Sequence, residues 1–199
     1  TVVPSSGVLA GFNTDVTGIA SAIRRACSQA DRALPTSAVV LGARATASSA
    51  LAALGELDIV TSTVAARRFG GPGSVVAASS RLGISIEQVL WSDRGAVLRA
   101  VSGADLVIST LPAGVADSLA EEMTVREGQV LLDVVYSPRE TALRSAFERN
   151  GGIVAEGTDM LIFQAAAQVQ LMTGRSPKTD VMRGALEAEL ARRARPSGG

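Results

Sequence analysis

A doubly wound α/β fold is what the sequence predicts, on three observations. Short β-branched apolar runs recur along the chain, stretches of helical period lie between them, and Gly, Pro, Ser or Asp punctuates most of the joints. The strand candidates are residues 38–41, 58–62, 88–91, 106–110, 130–135 and 153–155, and the helix candidates between them are residues 46–54, 74–82, 96–101, 115–122 and 141–149. Six strands alternating with helices predict a mainly parallel, six-stranded Rossmann-like sheet with helices on its flanks.

Two flanks stand outside this alternation. Val2-Val3, Pro4-Ser5-Ser6-Gly7 and Val8-Leu9-Ala10 read as a short hairpin, and the helix after it lines up Val16, Ile19, Ala20 and Ile23 on one face. At the other end a helix from about residue 158 to 172 stops at Gly174, and a last helix runs from about 179 to 191. The Arg192-Arg193-Ala194-Arg195 cluster that follows reads as a solvated helix end, where positive charge is favoured. Phe69-Gly70-Gly71-Pro72-Gly73 reads as a flexible turn.

Composition narrows the chemistry. With 199 residues, 47% of them hydrophobic, a mean hydropathy of +0.28 and 19 basic against 19 acidic residues, the chain can build a core and has no charge excess to draw it to nucleic acid. It has no His and one Cys, Cys27, which excludes a His-based triad, an imidazole zinc site and an internal disulfide, so no metal site is expected. Lys178 is the only lysine, and arginine does not release its proton. A proton donor near neutral pH must then be a shifted carboxylate, Tyr136, Cys27 or Lys178. No apolar run approaches the roughly 20 residues needed to span a bilayer, and no basic stretch followed by an apolar signal core opens the chain. The expectation is a cytoplasmic protein with no membrane partner, and the initial Thr suggests a piece of a longer chain.

The first strand runs through Val39-Val40-Leu41 into Gly42-Ala43-Arg44-Ala45-Thr46, the place where a dinucleotide fold presents backbone amides and a helix N-terminus to a pyrophosphate. Gly42 is the only glycine of this turn; Arg44 stands where the backbone would approach a phosphate closely. Two readings remain open: the guanidinium contacts phosphate, or its stem fills the cofactor's place. About 20 residues on, an NAD-binding protein offers an acid to the ribose, whereas Ser62-Thr63-Val64-Ala65-Ala66-Arg67-Arg68 has no acid and two arginines, which favours NADP if a dinucleotide binds.

Three motifs in order resemble the shikimate dehydrogenase family. Gly11-Phe12-Asn13-Thr14-Asp15-Val16-Thr17-Gly18 is similar to its Gly-x-Asn-Thr-Asp-x-x-Gly segment, and Asp133-Val134-Val135-Tyr136-Ser137-Pro138, with Thr141 and Leu143, is similar to its strand-to-loop signature. Gly157-Thr158-Asp159-Met160-Leu161-Ile162-Phe163-Gln164-Ala165-Ala166, followed by Thr173-Gly174, resembles its Gly-x-x-Met-Leu-x-x-Gln-Ala block. The resemblance implies reduction of 3-dehydroshikimate to shikimate with NADPH, in the biosynthesis of aromatic amino acids. It divides the chain into the end of a substrate domain (residues 1–14), a Rossmann-like NADP-binding domain (15–157) and helices that return to the substrate domain (158–199).

By position the resemblance makes Asp15 the catalytic carboxylate and Asn13, Thr14, Tyr136 and Gln164 substrate-binding. Read without it, Asn13-Thr14-Asp15 is an N-cap cluster and Gln164 a helix-packing amide. For the cofactor it implies Gly42, Ala43, Arg44, Ala45 and Thr46 at the phosphates, Thr63, Arg67 and Arg68 at the adenosine phosphate, and Val134 and Gly157 beside the nicotinamide. The family's turn glycines fall at Arg44 and Ala45, its Asn-Arg-Thr at Thr63-Val64-Ala65, and its Asn-x-Thr-Pro-x-Gly at Ser109-Thr110-Leu111-Pro112-Ala113-Gly114. The catalytic lysine of the family has no counterpart here, so these residues are expected not to turn over substrate alone. The alternative is a divergent member with weakened dinucleotide binding that acts as a binding or structural module.

Overall fold

The computed structural model describes residues 1–5, 7–59, 61–71 and 73–194. Ser6 of the expected hairpin, Val60 of the expected second strand, Pro72 of the glycine-rich turn and Arg195 of the basic cluster lie outside the described residues.

The chain opens with an antiparallel hairpin, β1 (Val2–Ser5) and β2 (Val8–Gly11), followed by α1 (Thr14–Gln29). Then come β3 (Ser37–Leu41), α2 (Ala45–Glu56), β4 (Thr61–Ala66), α3 (Val75–Leu82), β5 (Glu87–Leu90), α4 (Arg94–Gly103), β6 (Leu106–Ser109) and α5 (Asp117–Glu122). The chain continues as β7 (Val130–Asp133), α6 (Ala142–Arg149), β8 (Ile153–Ala155), α7 (Gly157–Thr173) and α8 (Thr179–Ala194). Six of the strands form one parallel sheet in the order β5-β4-β3-β6-β7-β8, the doubly wound arrangement expected.

Alternation along the strands sets the two cores. Val40, Val64, Ile108 and Leu132 point to the face covered by α1, α2 and α7 through Ile19, Ile23, Leu51, Leu54 and Phe163. Val39, Leu41, Val107 and Leu131 point to the other face, under Val97, Leu119, Leu143 and Phe147 of α4, α5 and α6. With both faces covered, the central strands must be apolar at nearly every position, and β3, β6 and β7 are.

The second strand begins later than the pattern predicts, at Thr61 instead of residue 58. Asp58 adopts a left-handed conformation (φ 57°), a geometry short polar residues tolerate, and the Ile59 amide donates to the Leu54 carbonyl at 3.0 Å. The apolar Leu57 and Ile59 are therefore the buried cap of α2 and not the start of a strand.

α1 and α7 cross closely because residue 18 has no side chain. A Cβ on Gly18 would lie 2.7 Å from the Met160 carbonyl oxygen and 3.0 Å from the Gln164 Cβ. Gly55, in α2, has only Ile84 Cδ1 at 3.8 Å from such an atom. Gly18→Ala therefore costs about 1–3 kcal/mol in urea denaturation as the crossing is forced apart. Gly55→Ala raises stability by about 0.5–1 kcal/mol. Equal effects of the two would contradict the crossing.

Candidate functional site

β3 pairs with β4 on one side and β6 on the other, so the sheet reverses its order between β3 and β6 and leaves a crevice at their C-terminal ends. Gly42 leaves β3 with φ 110°, and its amide donates to the Ala65 carbonyl at 2.9 Å. Thr110, at the end of β6, donates to the Leu41 carbonyl from both its amide and its hydroxyl, each at 2.9 Å. A Cβ on Gly42 would sit 2.3 Å from the Thr110 Oγ1, so the position admits only glycine.

Residues 44 and 45 carry no such demand. Arg44 is the N-cap of α2 in an extended conformation (φ −100°, ψ −164°) that any residue adopts, and Ala45 already lies in the helix. The turn therefore keeps its shape without the two further glycines. No side chain caps α2, so the amides of its first turn remain available to an anion, and Arg44 is exposed beside them with no ion pair among the described residues. Thr46, one residue on from Ala45, is half-buried, and Ala43 is buried under the turn. Uncapped amides, a glycine-only turn and an exposed guanidinium fit a diphosphate.

β4 ends at Ala66, and the exposed Arg67 and Arg68 follow at the same edge of the sheet. Thr63 is not brought there. It sits opposite Val39 in mid-strand, two residues before the pair formed by Leu41 and Ala65, and its hydroxyl donates to Glu87 Oε2 at 3.1 Å. β4 runs on to Ala66 instead of ending at residue 62, which keeps residues 63–65 in the ladder and leaves the arginines at the edge.

Beyond β6 the edge is formed by the loop after β7. Asp133 is buried, with Oδ2 accepting from the Thr141 hydroxyl at 2.8 Å and Oδ1 from the Val135 amide at 3.3 Å. Burial pushes its carboxyl above the ordinary range, and the hydrogen bonds from Thr141, Val135 and Ser109 offset only part of that. The Thr141 hydroxyl also caps α6 by accepting from the Arg144 amide at 3.2 Å. Val134, whose amide donates to the Ser109 carbonyl at 3.0 Å, and the exposed Tyr136 lie on this loop. A recess beside it is lined by Tyr136, Arg139, Glu156, Gly157 and Thr158.

Glu156 closes the recess. Arg144 holds it through two bonds of 2.7 and 2.8 Å, and Arg139 lies 3.4 Å away. Burial alone would raise its carboxyl; the hydrogen bonds and charge of Arg144, with Arg139 behind them, win and hold it below the ordinary range.

The Asn13-Thr14-Asp15 segment and Gln164 meet at the α1–α7 crossing. Asn13 caps α1 by accepting from the Asp15 amide at 3.2 Å and donates to Ser49 of α2 at 2.9 Å. The buried Thr14 donates to Gln164 Oε1 at 3.5 Å, and Gln168 donates to the same oxygen at 2.7 Å and to the Thr14 hydroxyl at 3.3 Å. Asp15 is partly exposed and forms no ion pair among the described residues. Gln164 follows Gly157 by two helical turns, about 10 Å along α7.

Of the other proton-donor candidates, Cys27 is enclosed in the core, where burial pushes its thiol up, and Lys178 lies just before α8. Sequence reasoning misses Gln168, the Asp133–Thr141 pair and the buried Asp159, which meets Arg25 of α1 at 3.3 Å and Arg183 of α8. An acid in the first turn of α7 is visible in the sequence; its partners, far along the chain, are not. Arg192 and Arg193 pair with Glu189 within α8, each at 2.7 Å.

A parallel sheet of this order with a glycine-only turn at its reversal point defines a dinucleotide-binding type of α/β domain. A family profile described as the shikimate 5'-dehydrogenase C-terminal domain matches residues 157–187. The NADP(+) shikimate dehydrogenase of Geobacter sp. strain M21 is 33% identical over 98% of this chain and 68% of its own length. The crystal structure of Mycobacterium tuberculosis shikimate dehydrogenase superposes with a TM-score of 0.79 at 33% identity, over 92% of this chain and 66% of that one. The Thermus thermophilus shikimate 5-dehydrogenase in complex with NADP(H) and shikimate gives 0.68 at 28% identity, over 98% and 67%. The chain belongs to the shikimate dehydrogenase family. It spans about two thirds of the length of the curated relatives it matches.

The lowered carboxyl of Glu156 fixes a pH dependence. A carboxylate whose folded pKa is depressed contributes stability above its unfolded pKa and loses it as pH falls through the folded value. Glu156→Gln therefore lowers the urea midpoint at pH 7, and the deficit shrinks as pH falls below the ordinary glutamate range. A deficit unchanged down to about pH 3 would contradict the pairing.

Proposed function

We propose that this chain carries the cofactor platform and part of the substrate pocket of an enzyme that reduces 3-dehydroshikimate to shikimate with NADPH. The observation that supports it most is the crevice at Gly42, whose anion-seeking turn lies at the same sheet edge as a strand end bearing two arginines and no acid. Family membership and the NADP(H) and shikimate named for the Thermus thermophilus structure support the same reading.

When bound, NADPH supplies the hydride that goes to the ketone carbon. Gly42, Ala43, Arg44, Ala45 and Thr46 hold its diphosphate, Arg67 and Arg68 its 2'-phosphate, and Val134 and Gly157 flank the nicotinamide. Thr63, bonded to Glu87 in mid-strand, has no part in it. Tyr136, Asn13, Thr14 and Gln164 orient the substrate hydroxyls and carboxylate, and the amide of Gln164 both donates and accepts. Asp15 accepts from a substrate hydroxyl and positions the cationic group that protonates the nascent alkoxide, a group supplied from outside these residues. Residues 1–14 then belong with a substrate domain, 15–157 with the cofactor domain and 158–199 with the helices that join them. Aromatic amino acid biosynthesis in the cytoplasm follows as the setting.

Titration of the chain with NADPH, followed by nicotinamide fluorescence, gives saturable binding at submillimolar concentration. Arg67→Ala combined with Arg68→Ala weakens NADPH about tenfold or more and leaves NADH unchanged, because only NADPH carries the 2'-phosphate. Arg44→Ala weakens both nucleotides by similar factors. Absence of saturable binding would overturn the proposal and favour a module that no longer holds a dinucleotide.

A further inference from the structure

Ser48 stands one turn into α2, and its hydroxyl faces two carbonyl oxygens. One is Arg44 O at 3.3 Å, the ordinary back-bond of a serine to its own helix. The other is Gly73 O at 3.0 Å, 25 residues away in the connection between β4 and α3. A second bond joins the same two segments, from the Val75 amide to the Ala43 carbonyl at 3.3 Å. The connection expected to be a flexible turn is thus fastened at its far end to the phosphate turn. Its near end leaves β4 at Ala66, whose carbonyl accepts from the Trp91 amide at 2.9 Å, and it carries Arg67 and Arg68.

A strand end thus anchors one end of the arginine-bearing segment, Phe69 packs against the core beside Arg68, and one backbone bond and one side-chain bond anchor the far end. Only the side-chain bond can be removed by substitution without altering the backbone. Ser48 forms no part of the phosphate turn itself, since its amide is already engaged with the Arg44 carbonyl at 2.9 Å.

We infer that Ser48 is a positioning residue for dinucleotide selection: its bond to Gly73 holds the Arg67–Arg68 segment over the diphosphate turn, so that a 2'-phosphate is met by arginines already in place. The inference rests on the proposed NADPH-binding function and adds to it the residue that links the two halves of the cofactor site. Loss of the bond acts through the arginines, so it affects the phosphorylated nucleotide and spares the other. A serine that served only the helix would affect both alike or neither.

The test measures NADPH and NADH dissociation constants for the full chain, for Ser48→Ala and for Ser48→Thr, together with the rate of tryptic cleavage after Arg67 and Arg68 without nucleotide. Ser48→Ala weakens NADPH about fivefold with NADH changed less than about twofold, and speeds cleavage by a similar factor, as loss of one hydrogen bond implies. Ser48→Thr keeps the hydroxyl and restores both. Equal weakening of the two nucleotides, or no change in either, would overturn the inference. If even the unaltered chain binds neither nucleotide, the proposed function falls and the selection role with it; cleavage that Ser48→Ala still accelerates would then show that the fastening itself is real.

Discussion

The crevice at the reversal point of the sheet is arranged around one steric constraint, the contact between Gly42 and Thr110. Two parallel strands side by side send their chains to opposite faces of the sheet, and at their ends β3 and β6 have to part without losing the last bonds of the ladder. Thr110 keeps them by donating twice to the Leu41 carbonyl, and its hydroxyl then occupies the space a side chain at residue 42 would need. The turn that results aims α2 into the crevice with its first amides unspent. An Arg at residue 44 is compatible with that turn because its backbone is extended there.

A second contact, made across the length of the chain, sets what faces the crevice. α1 comes before the sheet and α7 after it, and their crossing at Gly18 brings Thr14 against Gln164 and Gln168. Asp159 extends the crossing to α8 by meeting Arg25 and Arg183 with only 7% of its side chain exposed. Asp159 is shared by both arginines, so removing either one leaves it paired, whereas removing Asp159 takes the partner from both at once. Surface pairs such as those of Arg192 and Arg193 with Glu189 add little, because water and salt screen them. The helices are therefore held by Asp159 and the Gly18 contact, not by the basic end of α8.

Much of this is legible in residue order. Alternating apolar runs reveal the sheet and its helices because strands covered on both faces must be apolar throughout, and Ile153–Ala155 coincides with its predicted range. β4 starts later than predicted because the apolar pair Leu57 and Ile59 looks the same in a strand and in a buried helix cap; Asp58 at positive φ separates the two, and its conformation is not visible in the sequence. The strand also runs on to Ala66, which keeps Thr63 from the cofactor edge. Arg44 leaves two readings open, since whether a position needs glycine depends on φ. Thr141 as the partner of Asp133, Gly73 as that of Ser48 and Arg25 as that of Asp159 lie 8, 25 and 134 residues away, and no local pattern pairs them.

Amide hydrogen exchange across the whole chain, with and without NADPH, decides whether the crevice at Gly42 holds the diphosphate of a dinucleotide. Exchange is expected to slow in residues 43–48, in the segment after Ala66 and around Val134 and Gly157, with β1, β2 and α8 unchanged. Protection that spares residues 43–48, or that arises only on the hairpin or α8, would refute that role for the crevice.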